Sequence, residues 1–260
     1  MQKWLPRSLV MLLFAALVIS MANIGLLDLP RLGRGALNIG RFVGDLFPPD
    51  LSVLGAVTVA IVETLQIALV GTLLGFAMAL PMALLATPFL FGPTITGAAR
   101  TILAVVRTVP SLFWGILFVV AVGLGPAAGA LGVALYSLGY LGKLLYEIFE
   151  GVDPEVLEAV RSVGCNRLQL ARFAVLPEAA NNLVAQLLFM FEYNVRASSI
   201  MGFVGAGGIG FYLLGYIQML QYDRLLTALV ATLVVVILID RASARLRRMF
   251  LLPTSGGVGA

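Results

Sequence analysis

Histidine is absent from this chain of 260 residues, and cysteine occurs once, as Cys165. Those two absences remove disulfides, zinc clusters, histidine proton relays and Ser/His/Asp or Cys/His catalysis together. Charge is scarce as well: 12% of the residues are charged, where ordinary soluble domains carry about 25%. With 60% of its residues hydrophobic, the chain has too little polar surface to cover a globule in water. No G-x4-G-K-[ST] sequence occurs, so the chain has no P-loop with which to hydrolyse ATP. The net charge of +4 is spread over single Lys and Arg residues, a pattern that fits membrane topology better than a nucleic-acid patch.

A helix needs roughly 20 apolar residues to cross a bilayer. Runs near 8–27, 53–85, 99–122, 127–146, 179–201 and 222–240 meet that need, so an all-α, polytopic fold with about six transmembrane helices is expected. The first run, after Lys3 and Arg7, is too long for a signal-peptide core and is read as a retained span. With the N-terminus inside, the inner segments hold twelve Lys and Arg residues, among them Arg100, Arg107, Lys143, Arg161, Arg241 and Arg248. The outer ones hold Arg31, Arg34, Arg41 and Arg224, so both termini are expected in the cytoplasm. Residues 28–50 read as a short amphipathic helix on the outer surface or as a solvated loop. The domain reading is an N-terminal helix and outer segment over 1–50, a core over 51–240 and a basic tail over 241–260.

The most polar stretch, from Lys143 to Glu178, falls on the cytoplasmic side. Asp153 before Pro154 and Glu155 has the form of an N-cap with proline at the first helical position. Val156, Leu157, Val160 and Val163 follow at helical spacing, and Gly164 offers a left-handed stop. Asn166 then caps a second helix that runs to about Val175, and Pro177 opens the next span. Two amphipathic helices joined at a glycine suit docking in a groove of another protein; a hairpin lying on the inner membrane surface is the alternative.

Glu158-Ala159-Val160, then Gly164 after three residues and Ala174-Val175-Leu176-Pro177 after nine more, resembles the E-A-A-x3-G-x9-I-x-L-P loop of ABC importer permeases. Val160 and Ala174 depart from that pattern, both as apolar replacements. The resemblance implies a type I importer permease fold, with coupling helices at about 154–175 seated in a cleft of a separate ATPase subunit. Arg107-Thr108-Val109-Pro110-Ser111, Leu141-Gly142-Lys143-Leu144 and Phe191-Glu192-Tyr193-Asn194-Val195-Arg196-Ala197 are similar to the phosphonate/phosphite permeases within that group. The stretch Val204 to Gly210 is shared with methionine importer permeases. The implied partners are a second copy of the chain, two ATPase subunits that bind ATP and Mg, and an external solute-binding protein. No cofactor is implied for this chain, and the location implied is the bacterial inner membrane.

Away from the span ends, four charged residues fall inside the expected spans: Glu63, Arg107, Glu192 and Arg196. Each costs at least ~2.5 kcal/mol at the centre of a lone helix, so pairing, water or an interface must accompany it. Glu192 and Arg196 stand four residues apart, the favourable spacing for an ion pair on one helix. Two readings stay open. Arg196, with Asn194, Ser198 and Ser199, lines an outward vestibule and receives an oxyanion; or Glu63, Glu192 and Arg196 neutralise one another and lock helices together. Arg107 is expected to snorkel toward the cytoplasm, with a gate role as the alternative. Gly205, Gly207 and Gly210 fit G-x-G-x-x-G, but membrane spans flank them, so a dinucleotide fold is rejected. With Gly208 they form a flexible outer loop before an apolar run too short to cross. Gly129, Gly132, Gly139 and Gly142 mark the fourth span as a central packing helix, and Tyr136, Tyr140 and Tyr146 lie along it.

The leading functional expectation is therefore the permease subunit of an ATP-driven importer for a small phosphorus oxyanion. A permease for methionine or another small organic solute is the nearest alternative. An ion-coupled secondary transporter with Glu63 and Glu192 as proton sites is disfavoured by the coupling-type loop and the lack of inverted repeats. A membrane enzyme has no nucleophile or metal constellation to work with.

Overall fold

A computed structural model describes residues 7–251, with side chains over 9–248; the basic tail beyond residue 251 lies outside the described residues. The described chain is helical and divides into two compact units, 1–49 and 50–260.

The first unit holds α1 (Arg7–Asn23) and α2 (Leu29–Asp45). Its apolar stretch Leu9–Asn23 is shorter than the 8–27 expected and spans ~22 Å at 1.5 Å per residue. The outer segment is a helix rather than a loop: Asp28 accepts the Arg31 N–H at 3.0 Å, and Pro30 fills the first turn. Leu29, Leu32, Ala36, Ile39 and Val43 share one face of α2, and Arg31, Arg34, Asn38 and Arg41 the other.

The second unit is built on α3 (Leu54–Leu85) and α6 (Pro126–Glu150), the most extensively packed pair. Glycine makes this possible, since a Cβ on Gly71 would lie 2.5 Å from Val133 Cγ1 and one on Gly75 would lie 2.8 Å from the Ala134 carbonyl. Helix α6 is central, as its glycines require: Gly132 admits the Gly115 backbone and Gly139 admits the Arg107 backbone. Around this pair lie α4 (Pro93–Thr108), α5 (Ser111–Val122), α9 (Leu176–Met201), α10 (Ile209–Gln218) and α11 (Tyr222–Leu251). On the cytoplasmic side of the expected topology lie α7 (Pro154–Ser162) and α8 (Arg167–Leu170). At the opposite end of α3, Arg224 pairs with Asp50 at 3.0 Å, and Ser52 and Arg224 together hold the Asp50 carboxyl below its usual pKa.

Four described helical stretches are long and apolar enough to cross a membrane. The expected third span, 99–122, is broken: α4 and α5 meet at 87°. The cause is Pro110, which cannot donate to the helical ladder and pushes Val109 to an extended ψ of 121°. The fifth span also differs, because Pro177 does not begin it. Residues 171–175 form a π-helical turn, so α8, that turn and α9 make one continuous helical stretch from Arg167 to Val204.

This packing gives a paired prediction. Gly75→Ala forces a methyl into Ser137 and Ala134, an overpacking cost of about 1–3 kcal/mol, and lowers the thermal midpoint of the detergent-extracted protein. Gly55→Ala, where nothing lies within 4 Å, leaves the midpoint unchanged.

Candidate functional site

Three polar constellations occur in the second unit. The first is the cytoplasmic hairpin. Asp153 accepts the Glu155 N–H at 2.9 Å and starts α7, while Gly164 takes φ +81° and stops it. Asn166 and Gln169 form a reciprocal capping box at 2.9 and 2.8 Å. Leu157, Leu170, Ala174 and Val175 bury against Phe149 and Met190, with Val160 and Leu176 half-buried beside them. Glu158, Ala159 and Pro177 face outward. So do Val163, Leu168 and Phe173, at 81, 71 and 62% exposure. Three large apolar side chains are thus left uncovered beside charged ones, as on a surface that meets another protein or the bilayer.

The second constellation is the glycine loop after α9. Gly205, Gly207 and Gly208 all take positive φ, which only glycine adopts without strain. Gly210 does not; its place requires glycine because its Cα side abuts Ser199 and Gly202. Glu63 Oε1 accepts the Gly208 N–H at 3.1 Å and Thr64 Oγ1 accepts the Ile209 N–H at 2.8 Å, so α3 caps the first turn of α10. The Gly125 N–H binds the Gly205 carbonyl at 2.9 Å, which ties the loop to the start of α6.

The third constellation corrects the expected ion pairs. Glu192 and Arg196 do not pair with each other, nor with Glu63. Glu192 is buried and lies 2.6 Å from Arg247 Nη1, and Arg196 Nη1 reaches both Asp240 oxygens at 3.1 and 3.3 Å. Both partners come from α11, which continues eleven residues beyond the expected end of the sixth span at Asp240. Because α9 turns through 100° per residue, the expected vestibule group is also divided. Asn194 is fully buried on the other face, donating to Thr72 Oγ1 and Ser137 Oγ at 2.8 Å each. Ser198 is buried one turn further on, and Ser199 bonds back to the Val195 carbonyl. Arg196 instead lines a cavity of about 150 Å³ with Ser111, Leu112, Tyr193, Ala197, Ile200 and Met201. Arg107, the remaining charge, lies in the last turn of α4. Sequence reasoning missed Asp240, Arg247 and Tyr193. The charges at 240 and 247 stand seven apart, two helical turns, a spacing that places them on one face of α11.

No group of three or more metal-ligating side chains converges among the described residues. The arrangement offers cationic and hydroxyl groups in apolar surroundings, which suits holding an anion rather than making or breaking bonds.

A family model described as the binding-protein-dependent transport system inner membrane component matches residues 71–250. The phosphite transport system permease protein of Stutzerimonas stutzeri is 36% identical over 251 residues, 95% of this chain and 90% of that protein. The phosphate-import permease protein of Mycolicibacterium smegmatis is 38% identical over 209 residues, 78% of this chain and 38% of that one. Among solved structures, an inward-facing methionine ABC transporter matches with a TM-score of 0.68 at 25% identity, covering 78% of this chain and 100% of that one.

The crossed pairs between α9 and α11 are testable by a double-mutant cycle. Arg196→Gln is expected to destabilise the extracted protein by about 1 kcal/mol, as for a half-exposed pair, and Asp240→Asn to recover most of that loss. Recovery by Glu192→Gln in place of Asp240→Asn would refute the pairing.

Proposed function

The chain belongs to the family of binding-protein-dependent transport system inner membrane components, and from that premise we propose that it carries a small phosphorus oxyanion, such as phosphite or a phosphonate, into the cytoplasm. It is a permease subunit of an ABC importer, and ATP is hydrolysed by separate subunits. The observation that carries the substrate reading is its likeness to a phosphite permease across nearly the whole chain. The cavity at Arg196 supports it chemically. Asp240 occupies one nitrogen of that guanidinium, leaving Nε and Nη2 as donors, and the Ser111 and Tyr193 hydroxyls line the same space. Methionine, the solute of the structural neighbour, carries an ammonium as well as a carboxylate, and no carboxylate lines this cavity.

In this reading two copies of the chain form the path, with two ATPase subunits below and a solute-binding protein outside. The exposed side of α7 and α8 receives the ATPase, and alternating access follows from its closing motion. In the same reading both termini lie in the cytoplasm, an orientation that the distribution of Lys and Arg supports.

The test is uptake by the whole importer in proteoliposomes, with its ATPase and binding protein. ATP-dependent accumulation of phosphite or methylphosphonate is expected, and accumulation of methionine in their place would overturn the substrate reading. In the same vesicles, Glu158→Lys and Gly164→Pro are expected to abolish uptake without removing the permease from the membrane. The first reverses a charge on the exposed docking face, and the second breaks a backbone held at φ +81°. Normal uptake with both variants would remove the hairpin as the docking site.

A further inference from the structure

Helix α4 enters the bundle beside the end of α3 and runs along α6. Arg100 Nε donates to the Ala86 carbonyl, one residue past α3, at 2.9 Å, and its guanidinium pairs with Glu150 at the end of α6. A Cβ on Gly142 would meet the Leu103 side chain, and one on Gly139 would lie 2.8 Å from the Arg107 nitrogen, so two glycines let α4 rest directly on α6. In the groove left between them, Arg100, Leu103, Ala104 and Arg107 of α4 and Lys143 and Tyr146 of α6 line one cavity of about 40 Å³.

Three cations thus share one small space. Arg100 is held by Glu150 and lies 4.6 Å from the centre of the Tyr146 ring, and Lys143 meets Glu147 at 3.1 Å. Arg107 is exposed, and among the described residues its side chain has no ion-pair or hydrogen-bond partner. The cavity therefore carries one positive charge beyond those its own carboxylates neutralise. Its volume is that of about three waters at ~10–15 Å³ each, which is room for the two unesterified oxygens of a phosphodiester.

Depth narrows the class of anion. Helix α3 is ~48 Å long at 1.5 Å per residue, against a hydrocarbon core of ~30 Å, so its ends stand among the headgroups. Arg100 lies level with one of those ends, and Arg107 lies two turns, or ~10 Å, further in. The Arg107 stem brings its guanidinium to the same cavity as Arg100, at the edge of the hydrocarbon. Tyr146, with an apolar ring and a polar tip, suits that level too. Beside the cavity on α4, Ile102 and Val105 stand exposed, apolar surface at the depth of acyl chains.

We propose that this cavity binds the phosphate of an anionic phospholipid from the leaflet that faces the cytoplasm in the orientation given above. Arg107 supplies two parallel N–H donors to the two free oxygens, and Arg100 and Lys143 add to the attraction. The surplus charge of one equals the single charge of a phosphodiester. The acyl chains then cover Ile102 and Val105. The oxygens recognised are those of the cargo proposed above; the depth of the cavity and the apolar surface beside it favour a lipid.

The experiment titrates the complete detergent-extracted importer with dioleoylphosphatidylglycerol and reads bound lipid by native mass spectrometry, with dioleoylphosphatidylcholine as the zwitterionic control. Phosphatidylglycerol is expected to bind in preference. Arg107→Gln should weaken its binding ~10-fold, the loss that follows from removing a charge-assisted hydrogen bond, and Arg107→Lys should recover part of it. Ala104→Phe, which fills the cavity from an exposed position without touching a charge, should weaken binding as well. Arg245→Gln, which removes the same charge from outside the cavity, should leave it unchanged. Equal weakening by Arg245→Gln would reduce the effect to adsorption by overall charge and overturn the site. Unchanged binding in Ala104→Phe would overturn it too, even where Arg107→Gln fails to assemble. Sodium phosphite, added against sodium chloride of equal ionic strength, should leave the lipid bound; its displacement would assign the cavity to a free oxyanion and sink the lipid reading. No arm measures transport, so the outcome stands apart from the uptake test of the substrate.

Discussion

A charge in hydrocarbon has no water to turn to, so each ionised side chain of a membrane bundle must find its partner within the bundle. Between the antiparallel helices α9 and α11 two ion pairs meet that requirement, Glu192 with Arg247 and Arg196 with Asp240. The signs alternate along each helix, which makes the pairs a register device as much as a source of stability. Sliding α11 by two turns would bring Arg247 opposite Arg196, a like-charge contact. Removing one partner strands the other, which is a larger penalty than the pair itself is worth. The position of α9 relative to α11 is therefore fixed more sharply than apolar packing alone would fix it, and Asp240 of α11 holds the guanidinium that lines the Arg196 cavity.

Helix α9 is also part of the longest described helical stretch. Its helical stretch begins at Arg167, in the cytoplasmic hairpin, and ends at Val204, where the glycine loop starts. The π-helical turn at 171–175 inserts an extra residue per turn at the junction but leaves the stretch unbroken, and Ala171, Ala174 and Val175 are buried there. Tyr193, Asn194 and Arg196 therefore lie on the same continuous helical stretch as α8. At the far end the loop is held by Glu63 and Thr64 of α3. The cytoplasmic hairpin, the Arg196 cavity and the glycine loop thus share one helical stretch, which packs against α3 and α6.

Local chemistry was the most legible part of the sequence. The Asp153 and Asn166 caps, the Gly164 stop and the close-packed glycines of α6 all follow from residue types at fixed spacing, and the structure places them as their chemistry requires. The break at Pro110 was legible in principle, because a proline followed by serine also reads as the start of a new helix. It was obscured by apolar residues that run on through both halves. Pairing across helices was not legible. Glu192 and Arg196 have the right spacing for a pair on one helix, yet each has a partner on α11 that sequence distance could not suggest. The same limit hid the separation of Asn194 and Ser198 from Arg196, since which face of α9 meets α3 and α6 depends on packing rather than on composition.

Fold and substrate are settled by different residues. A backbone similar to a methionine importer's is compatible with several solutes, because the frame of α3, α6 and α9 is set by glycines and small apolar side chains that touch no cargo. What distinguishes one solute from another is the small set of polar groups left facing open space once the bundle has satisfied its own charges. In this chain Glu63 Oε1 accepts from a helix N-terminus and Glu192 meets Arg247. The donors that line open space are those remaining on Arg196, the guanidinium of Arg107 and the hydroxyls of Ser111 and Tyr193. All of them donate hydrogen bonds, two of them carry positive charge, and none requires a counter-cation. An anion with several equivalent oxygens and no basic nitrogen is the solute that such a residue matches, which is a chemical ground for an oxyanion independent of overall likeness to any relative.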